Sequence, residues 1–437
     1  MRRIPIVAAV LAAGLSSAHP AAAATTPCQP SVATRVPQPS RAQLAAAGLA
    51  DLPLAPDDRR VDLVAPAFSR STSITNPLFP ISNLHSAVIN GHVDGKPLKI
   101  ETTLLPETRV VEWSPGQCVR TLVSQFVAYK AGRIEEVALD HYAQDDAGAV
   151  WYFGEDVFNY SHTGIADTEG TWLAGKEGPA AMIMPARAHV GNVNRSENIP
   201  GLVFEEVTTK KVGVTVRGPR GPVAGAIVGS ELHDDGTRED KYFAPGYGEF
   251  RSAGDGDLEA MALAVPTDTR PGPTPPALTR LFDAAIDVYD AKTAKSRRSG
   301  ARRAAKAWRA YRSPGLPTRL VAPTNRAVTR LVRRPSRATA VRAAQAALDL
   351  QLQYRPPTEI DRDRLSLWAR QVLVDAARHD PGAVNGSVTT MEWIRDRITR
   401  AVDPVTLVRI DHRLGEMRLD VTDGKLRAAA RTARRFF

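Results

Sequence analysis

Residues 140–156 read DHYAQDDAGAVWYFGED, with two apolar and aromatic runs on either side of Asp145-Asp146-Ala147-Gly148. Those four residues are typical of a type I turn that glycine closes in the left-handed conformation. Aromatic pairs across two strands stabilise a sheet by roughly 0.2–1 kcal/mol each, so the stretch predicts an antiparallel β-hairpin. The pairs expected opposite each other are Tyr142 with Tyr152, Ala143 with Trp151, and His141 with Phe153.

Carboxylates are dense in this hairpin, and a metal site is the alternative to a purely structural interpretation. Carboxylate oxygens suit Ca²⁺, and Gln144 adds a neutral ligand. However, the spacing does not match the twelve-residue calcium loop, and aspartates at a turn commonly bond nearby backbone amides. The candidate ligands are Asp145, Asp146, Glu155 and Asp156.

Short apolar runs broken by turn signals continue on both sides of the hairpin, from about residue 60 to residue 265. Asp94-Gly95, residues 130–132 (Lys-Ala-Gly) and residues 218–221 (Gly-Pro-Arg-Gly) each separate two such runs. Turn residues at strand spacing, without helical stretches between them, indicate hairpins. Residues 60–265 are therefore predicted to form an antiparallel β-meander, either sandwich-like or open and curved.

Two parts of this region resemble a known group of proteins. The run from Tyr142 to Glu155 follows the pattern YAQDxxGxVWYFGE, and residues 242–248 (YFAPGYG) resemble a closing hairpin. Both are similar to hairpins of uncharacterised bacterial secreted β-proteins. The resemblance covers residues 75–255. It implies a secreted β-domain and assigns no chemistry to any residue.

The period of the apolar residues changes after a proline-rich linker at residues 266–275. Beyond it, apolar residues recur every three or four positions, which is typical of amphipathic helices. Residues 276–437 are predicted to form about five to seven helices in an irregular bundle. The expected fold class is α+β in two domains, an antiparallel β-domain followed by an all-α bundle.

Charge divides the chain at the same place. Residues 271–437 carry 33 Lys and Arg against 16 Asp and Glu, and residues 291–312 hold nine Lys and Arg and no acid. Such a block suggests an anionic partner, although a solvated helix face is an equally good explanation. Basic residues and alanines do not separate cleanly along 297–309, so a membrane-inserting amphipathic helix is not favoured. The candidate polyanion-binding residues are Arg297, Arg298, Arg302, Arg303, Lys306 and Arg309.

The N-terminus indicates export. Residues 1–24 combine a basic start, an apolar stretch and small residues suited to cleavage, which is the layout of a secretory signal peptide. Residues 25–59, rich in Pro, Ala and Ser, are expected to run as an extended arm. In an oxidising compartment Cys28 and Cys118 are predicted to form a disulfide. Export argues against a nucleic-acid partner and favours anionic cell-surface polymers or lipid headgroups.

Signals of common hydrolases are missing from the sequence. It has no G-x-S-x-G elbow, no H-E-x-x-H and no close His/Cys cluster. Adjacent carboxylates such as Glu155-Asp156 point to opposite faces of a strand, which does not suit the paired carboxyls of a glycosidase. The expected function is non-enzymatic binding in the cell envelope or extracellular space. The alternatives are a metal- or small-ligand-binding β-domain and a hydrolase of unknown class.

Overall fold

The computed structural model describes residues 35–254, 256–312 and 315–437. Over these residues the chain forms one large antiparallel sheet and then a block of helices. The predicted fold class, α+β in two parts, is confirmed. The predicted signal peptide and Cys28 lie outside the described residues, so the disulfide to Cys118 stays a prediction.

The sheet contains fourteen strands within the described ranges. Their bounds are β1 Ser86–Val93, β2 Lys96–Ser114, β3 Gln117–Lys130, β4 Arg133–Gln144, β5 Val150–Ser161, β6 Gly164–Asp167, β7 Trp172–Leu173, β8 Ala181–Met184, β9 Val193–Ile199, β10 Val203–Arg217, β11 Pro222–His233, β12 Arg238–Ala244, β13 Gly248–Gly254 and β14 Asp257–Val265.

Two meanders build this sheet. Strands β1 to β6 are neighbours in chain order, and so are β9 to β14. The two series join where β1 pairs with β14, while β7 and β8 pair with β5 outside this path. Antiparallel neighbours need only short turns between them, which is why the turn signals in the sequence are so frequent.

Three predicted turns lie where the sequence indicates them. Asp94 and Gly95 both have positive φ and join β1 to β2, as a type I′ turn requires. Ala131-Gly132 joins β3 to β4 in the same way. Residues 218–221 close the β10–β11 hairpin. Since turn type sets the pairing of the flanking strands, these turns determine the register of much of the sheet.

The 140–156 hairpin has the predicted turn, with Gly148 at φ 99°. Tyr142 lies opposite Tyr152, and Ala143 lies opposite Trp151, as expected. The two tyrosine rings stack with their centroids 4.8 Å apart. The aromatic residues of this stretch therefore have a structural role.

One predicted pair in the same hairpin is wrong. His141 does not lie opposite Phe153, because the register shifts between Asp140 and Tyr142. Asp140 pairs with Glu155 instead. The shift places these two carboxylates side by side.

A glycine in β5 allows β7 to lie close to it. Gly154 has φ 120°, and a Cβ atom there would lie 2.2 Å from the carbonyl oxygen of Trp172. Trp172 is buried and packs edge-on against Tyr152 at 5.3 Å. The glycine in the sequence YFGED is therefore required for close packing.

The sheet curls until its two ends approach each other. β8 pairs with β5 near one end of the sheet. At the other end, the side-chain amide of Asn194 in β9 donates to the carbonyl oxygen of Met182 in β8, at 2.8 Å. Because side chains alternate along a strand, each strand has residues on an inner side of the curl and on an outer side.

The described chain contains nine α-helices, one before the sheet and eight after it. They are α1 Arg41–Ala46, α2 Pro276–Asp290, α3 Ala294–Tyr311, α4 Thr318–Arg333, α5 Arg337–Gln351, α6 Pro357–Ala376, α7 Pro381–Arg397, α8 Pro404–Thr422 and α9 Leu426–Ala433. Eight of them follow residue 276, slightly more than predicted. None of these helices is long and apolar enough to cross a membrane.

The predicted extended arm is partly folded where the structure describes it. Ser40 and Gln43 form a capping box at the start of α1, and Val36 and Leu49 on either side of it are buried. Arg60 then bridges to Val193 of β9. Burial of its apolar residues keeps this segment on the molecule.

A buried ionic cluster joins the helices to the outer side of the sheet. Arg397 of α7 donates to Glu101 of β2 (2.7 Å) and to Gln125 of β3 (2.6 Å). Three cations and three carboxylates balance each other there, as buried charges require. The ionic members are Lys99, Glu101, Asp349, Asp361, Arg364 and Arg397.

Aromatic contacts continue the same interface. Trp368 of α6 stacks on Tyr129 of β3 at 5.7 Å, and the indole N–H of Trp393 in α7 donates to the hydroxyl of Tyr160 in β5 at 2.8 Å. The sheet and the helices therefore dock through a charge-balanced and apolar surface. The basic residues of α3 take no part in these contacts.

Candidate functional site

The four carboxylates predicted to bind a metal do not meet at one point. Asp145 accepts hydrogen bonds from the backbone N–H of Ala149 and from the indole N–H of buried Trp151, both at 2.8 Å. Asp146 accepts from the backbone N–H and the hydroxyl of Ser69. Both aspartates therefore organise the turn.

Glu155 and Asp156 lie farther along β5, on opposite sides of the sheet. Asp156 accepts from Arg109 at 2.7 Å, and the same guanidinium contacts Nε2 of His141, also at 2.7 Å. Burial lowers the pKa of His141, which favours a neutral imidazole at this outer position. Glu155 points to the inner side, where the curl of the sheet adds other carboxylates.

These carboxylates form a set that we call the inner acidic cluster. Glu155 of β5 and Glu197 of β9 hydrogen-bond to each other, although they come from opposite ends of the sheet. Glu205 of β10 and Glu231 of β11 make a second contact of this kind. The cluster consists of Glu136, Asp140, Glu155, Glu197, Glu205, Glu231, Glu249 and Glu259.

Burial is the main cause of raised pKa values in this cluster. It raises the pKa of Asp140 to about 7 and that of Glu259 to about 7, with neighbouring carboxylates adding to both shifts. Burial and neighbouring carboxylates also raise the pKa values of Glu155, Glu197 and Glu231. A carboxyl pair in contact ionises less readily than either group alone, so these five groups hold protons near neutral pH. Glu205 differs, because Lys241 and His233 lower its pKa to about 2 despite its burial.

Two basic side chains lie within the cluster. Nζ of Lys241 is 2.6 Å from Oε2 of Glu231, and Nδ1 of His233 is 3.4 Å from Oε1 of Glu205. Three possible metal ligands converge here, because one ligand atom from each of Glu205, Glu231 and His233 lies within 4.8 Å of the other two. Carboxylate and imidazole ligands suit a divalent transition metal. The ammonium of Lys241 already neutralises part of this charge, so the cluster also has a structural explanation.

The residues predicted to bind polyanions all lie on α3. Arg303 pairs with Asp287 of α2 at 2.7 Å, and Arg297 donates to the carbonyl oxygen of Ala291 at 3.1 Å. The other four are exposed, and with Lys295 they fall within an arc of about 80° at about 100° per residue. We call these five residues the α3 basic stripe, which consists of Lys295, Arg298, Arg302, Lys306 and Arg309.

The opposite face of α3 is buried. Gly300 allows this face to approach α2, since a Cβ atom there would lie 2.7 Å from Cγ2 of Val288. Ala301, Ala304 and Trp308 are buried on the same face. The cations of the stripe and the buried alanines therefore lie on different faces of α3, whereas Arg297 and Arg303 lie outside the stripe, so the separation over 297–309 is incomplete.

The basic stripe belongs to a longer segment without acids. Residues 291–348 contain sixteen Lys and Arg and no Asp or Glu. In the described part of this segment, Arg303 is the one residue that pairs with a carboxylate. The inner acidic cluster lies within the curled sheet and makes no ion pair with any described residue of the stripe.

Neither a scan of the sequence against models of known families nor a search of curated proteins finds a match.

Sequence reasoning missed the inner acidic cluster. Glu197, Glu205 and Glu231 lie in three different strands, far apart in the chain, and a carboxylate on a strand is ordinarily a solvated residue. One signal was available in β11, where side chains alternate between the two sides of the strand and Glu231 falls on the same side as buried Ile227. That pattern indicates an inward-facing acid.

Proposed function

We propose that this protein is an exported, non-enzymatic binding protein of the cell envelope or extracellular space, and that its α3 basic stripe contacts anionic polymers or lipid headgroups. The observation that carries the proposal is the exposure of five cations along one face of an 18-residue helix, in a segment without acids. The layout of residues 1–24 supports export, and export in turn supports the Cys28–Cys118 disulfide.

The stripe has the dimensions of an electrostatic contact surface. From Lys295 to Arg309 it extends about 21 Å at 1.5 Å per residue, long enough to meet several charges of a polymer or headgroup layer. Each cation held near an anionic membrane surface contributes about 1 kcal/mol at low salt. The apolar face of α3 is already packed in the core, with Trp308 buried, so the proposed contact is a surface contact without insertion.

Co-sedimentation of the mature full-length chain tests this proposal. The partners are anionic phospholipid vesicles, neutral vesicles and an insoluble anionic wall polymer. The stripe variant is R298Q/R302Q/K306Q. The matched control is R409Q/R427Q/R431Q, which removes the same charge from exposed positions on α8 and α9.

We expect the wild type and the control variant to sediment with anionic partners at low salt, and the stripe variant to bind at least tenfold more weakly. Equal losses in both triple variants would assign the binding to net charge and overturn the role of α3. Retention unchanged between low salt and about 1 M salt, where the screening length is about 3 Å, would also contradict an electrostatic contact.

A second candidate function is metal binding in the β-domain, favoured by the convergence of Glu205, Glu231 and His233. Their ligand types favour Zn²⁺ or Mn²⁺ over the Ca²⁺ expected for the hairpin. Calorimetric titration of the full chain at pH 8 with Zn²⁺, Mn²⁺ and Ca²⁺ tests it, with H233A as the variant. Absence of heat and of a thermal shift with all three ions would reject this function.

A further inference from the structure

A cleft of about 810 Å³ lies between α4 and the sheet. Its walls come from β1, the β10–β11 hairpin, β12, β13, β14 and α4. The volume falls within the range of roughly 300–1,000 Å³ that is usual for small-ligand sites. Four arginines line it, and we call it the arginine cleft; they are Arg217, Arg251, Arg319 and Arg326.

The arginine cleft has no matching negative charge. No Asp or Glu occurs among the described residues that line it, and none of its four arginines makes an ion pair within the described chain. A cleft between α7 and α8 shows the usual arrangement for comparison. There Arg395 pairs with Asp411 at 2.6 Å, and Arg418 pairs with Glu392.

The charges in the arginine cleft repel one another. Burial lowers the pKa of Arg319, and the charges of Arg251 and Arg217 lower it further. This direction is opposite to that of Arg395, whose pKa is raised by its hydrogen bonds to Asp411 and Asp396. An arrangement that gathers like charges at a cost in stability is typical of a binding site.

The backbone adds to the positive potential. α4 begins at Thr318, in the wall of the cleft, and its N-cap residue Pro317 makes no side-chain hydrogen bond to the first turn. The positive end of the helix dipole therefore lies at the cleft. On the sheet side, the guanidinium of Arg251 lies over the ring of Tyr242, 5.3 Å from its centroid, which holds it in place.

We propose that the arginine cleft binds a phosphate group, either free or carried by a lipid headgroup. Guanidinium groups match the geometry of phosphate oxygens and form paired, charge-assisted hydrogen bonds with them. The site is independent of the α3 basic stripe, because its arginines come from β10, β13 and α4. The stripe would hold the protein near an anionic surface, whereas the cleft would recognise one phosphate group.

Calorimetry on the mature full-length chain, at constant ionic strength, tests the proposal. The probes are inorganic phosphate, pyrophosphate, chloride as the control anion, and vesicles that carry a phosphomonoester headgroup. The cleft variant is R251Q/R319Q, and the matched control is R427Q/R431Q, at exposed positions on α9. Thermal unfolding of each variant without ligand is measured alongside.

We expect pyrophosphate to raise the Tm of the wild type and of the α9 control, and to bind the cleft variant at least tenfold more weakly. The cleft variant without ligand should unfold at the same or a higher temperature than the wild type, because two repelling charges are removed. That result separates a loss of binding from a loss of folding. Cleft-dependent binding of vesicles alone would assign the phosphate group to a lipid, and cleft-dependent binding of free anions would assign it to a soluble source.

No heat and no thermal shift with any phosphate probe would overturn the proposal, and so would equal losses in the cleft and α9 variants. Failure of the stripe variant to lose sedimentation, with the cleft result intact, would reject the proposed function and leave the cleft site standing. The two proposals therefore fail separately.

Discussion

Single buried charges decide how the sheet and the helices hold together. The side chain of Arg397 is fully buried, and Glu101 and Gln125 accept its hydrogen bonds. A buried carboxylate that loses its cation is strongly destabilising. The docking of α7 on β2 and β3 therefore depends on this one side chain more than its share of the contact surface suggests.

The variant Arg397→Met tests this dependence. Methionine fills most of the volume of the arginine side chain but carries no charge, so Glu101 loses one of its cationic partners. We expect this substitution to lower the free energy of unfolding by about 3–5 kcal/mol. Urea denaturation of the full-length chain measures the change. Arg400→Gln is the control, because Arg400 is 69% exposed and lies 3.8 Å from Glu107, and its effect should stay within about 0.5 kcal/mol. Similar small effects in both variants would show that the buried cluster does not stabilise the interface.

At the scale of elements, the 140–156 hairpin shows how a dense set of carboxylates serves structure. Asp145 satisfies the indole N–H of Trp151, which is 1% exposed. Asp146 instead ties the turn to Ser69 at the surface. The two adjacent aspartates have similar sequence surroundings, but we expect them to contribute differently to the free energy of unfolding.

Asp145→Ala and Asp146→Ala form a matched pair for this hairpin. The first leaves a buried indole N–H without its acceptor, and we expect a loss of about 2–3 kcal/mol. The second removes exposed hydrogen bonds and should cost about 1 kcal/mol or less. Thermal and urea unfolding measure both, and addition of Ca²⁺ should not change their difference. An equal effect of the two substitutions would contradict the structural role, and a Ca²⁺-dependent difference would revive the metal interpretation.

The elements also show what local patterns can predict. Asp94-Gly95 and the stacked pair of Tyr142 and Tyr152 were predictable, because a turn and the residues beside it interact over a few positions. The register shift after Asp140 was not, because it accompanies packing against β7 and the opposite end of the sheet. The α3 basic stripe was predictable in composition, but its separation from the buried alanines became clear only with the helix axis defined.

At the scale of the whole molecule, the curl of the sheet buries carboxylates of the inner acidic cluster, and the free energy of unfolding therefore depends on pH. The pKa of Glu259 is raised from 4.5 to about 7 by burial and by neighbouring carboxylates. Between these values the folded chain binds more protons at Glu259 than the unfolded chain does. The contribution of this group is therefore fully present below about pH 4.5 and is lost as the pH rises through about 7.

Glu259→Gln isolates this contribution from other titrating groups. We expect the variant to gain stability relative to the wild type by about 2 kcal/mol between pH 4.5 and pH 8, since one pKa unit corresponds to about 1.4 kcal/mol and partial exposure reduces the effect. Urea unfolding of both chains across this range measures it. Glu107→Gln, at a 48% exposed side chain, should show no such change. A difference between Glu259→Gln and the wild type that does not vary with pH would contradict the raised pKa.

The amino-acid sequence by itself determined the antiparallel hairpins, the change to helices after the linker, and the concentration of basic residues in 291–348. These features depend on neighbours within one turn or one strand, where spacing in the sequence is close to spacing in the molecule. The tertiary structure alone decided where charges meet. Glu155 reaches Glu197 because the sheet curls, and Arg217 reaches Arg319 because α4 docks beside the β10–β11 hairpin. Spacing in the sequence predicts neither of these two pairs, because each pair depends on how elements far apart in the chain pack to bury their apolar faces.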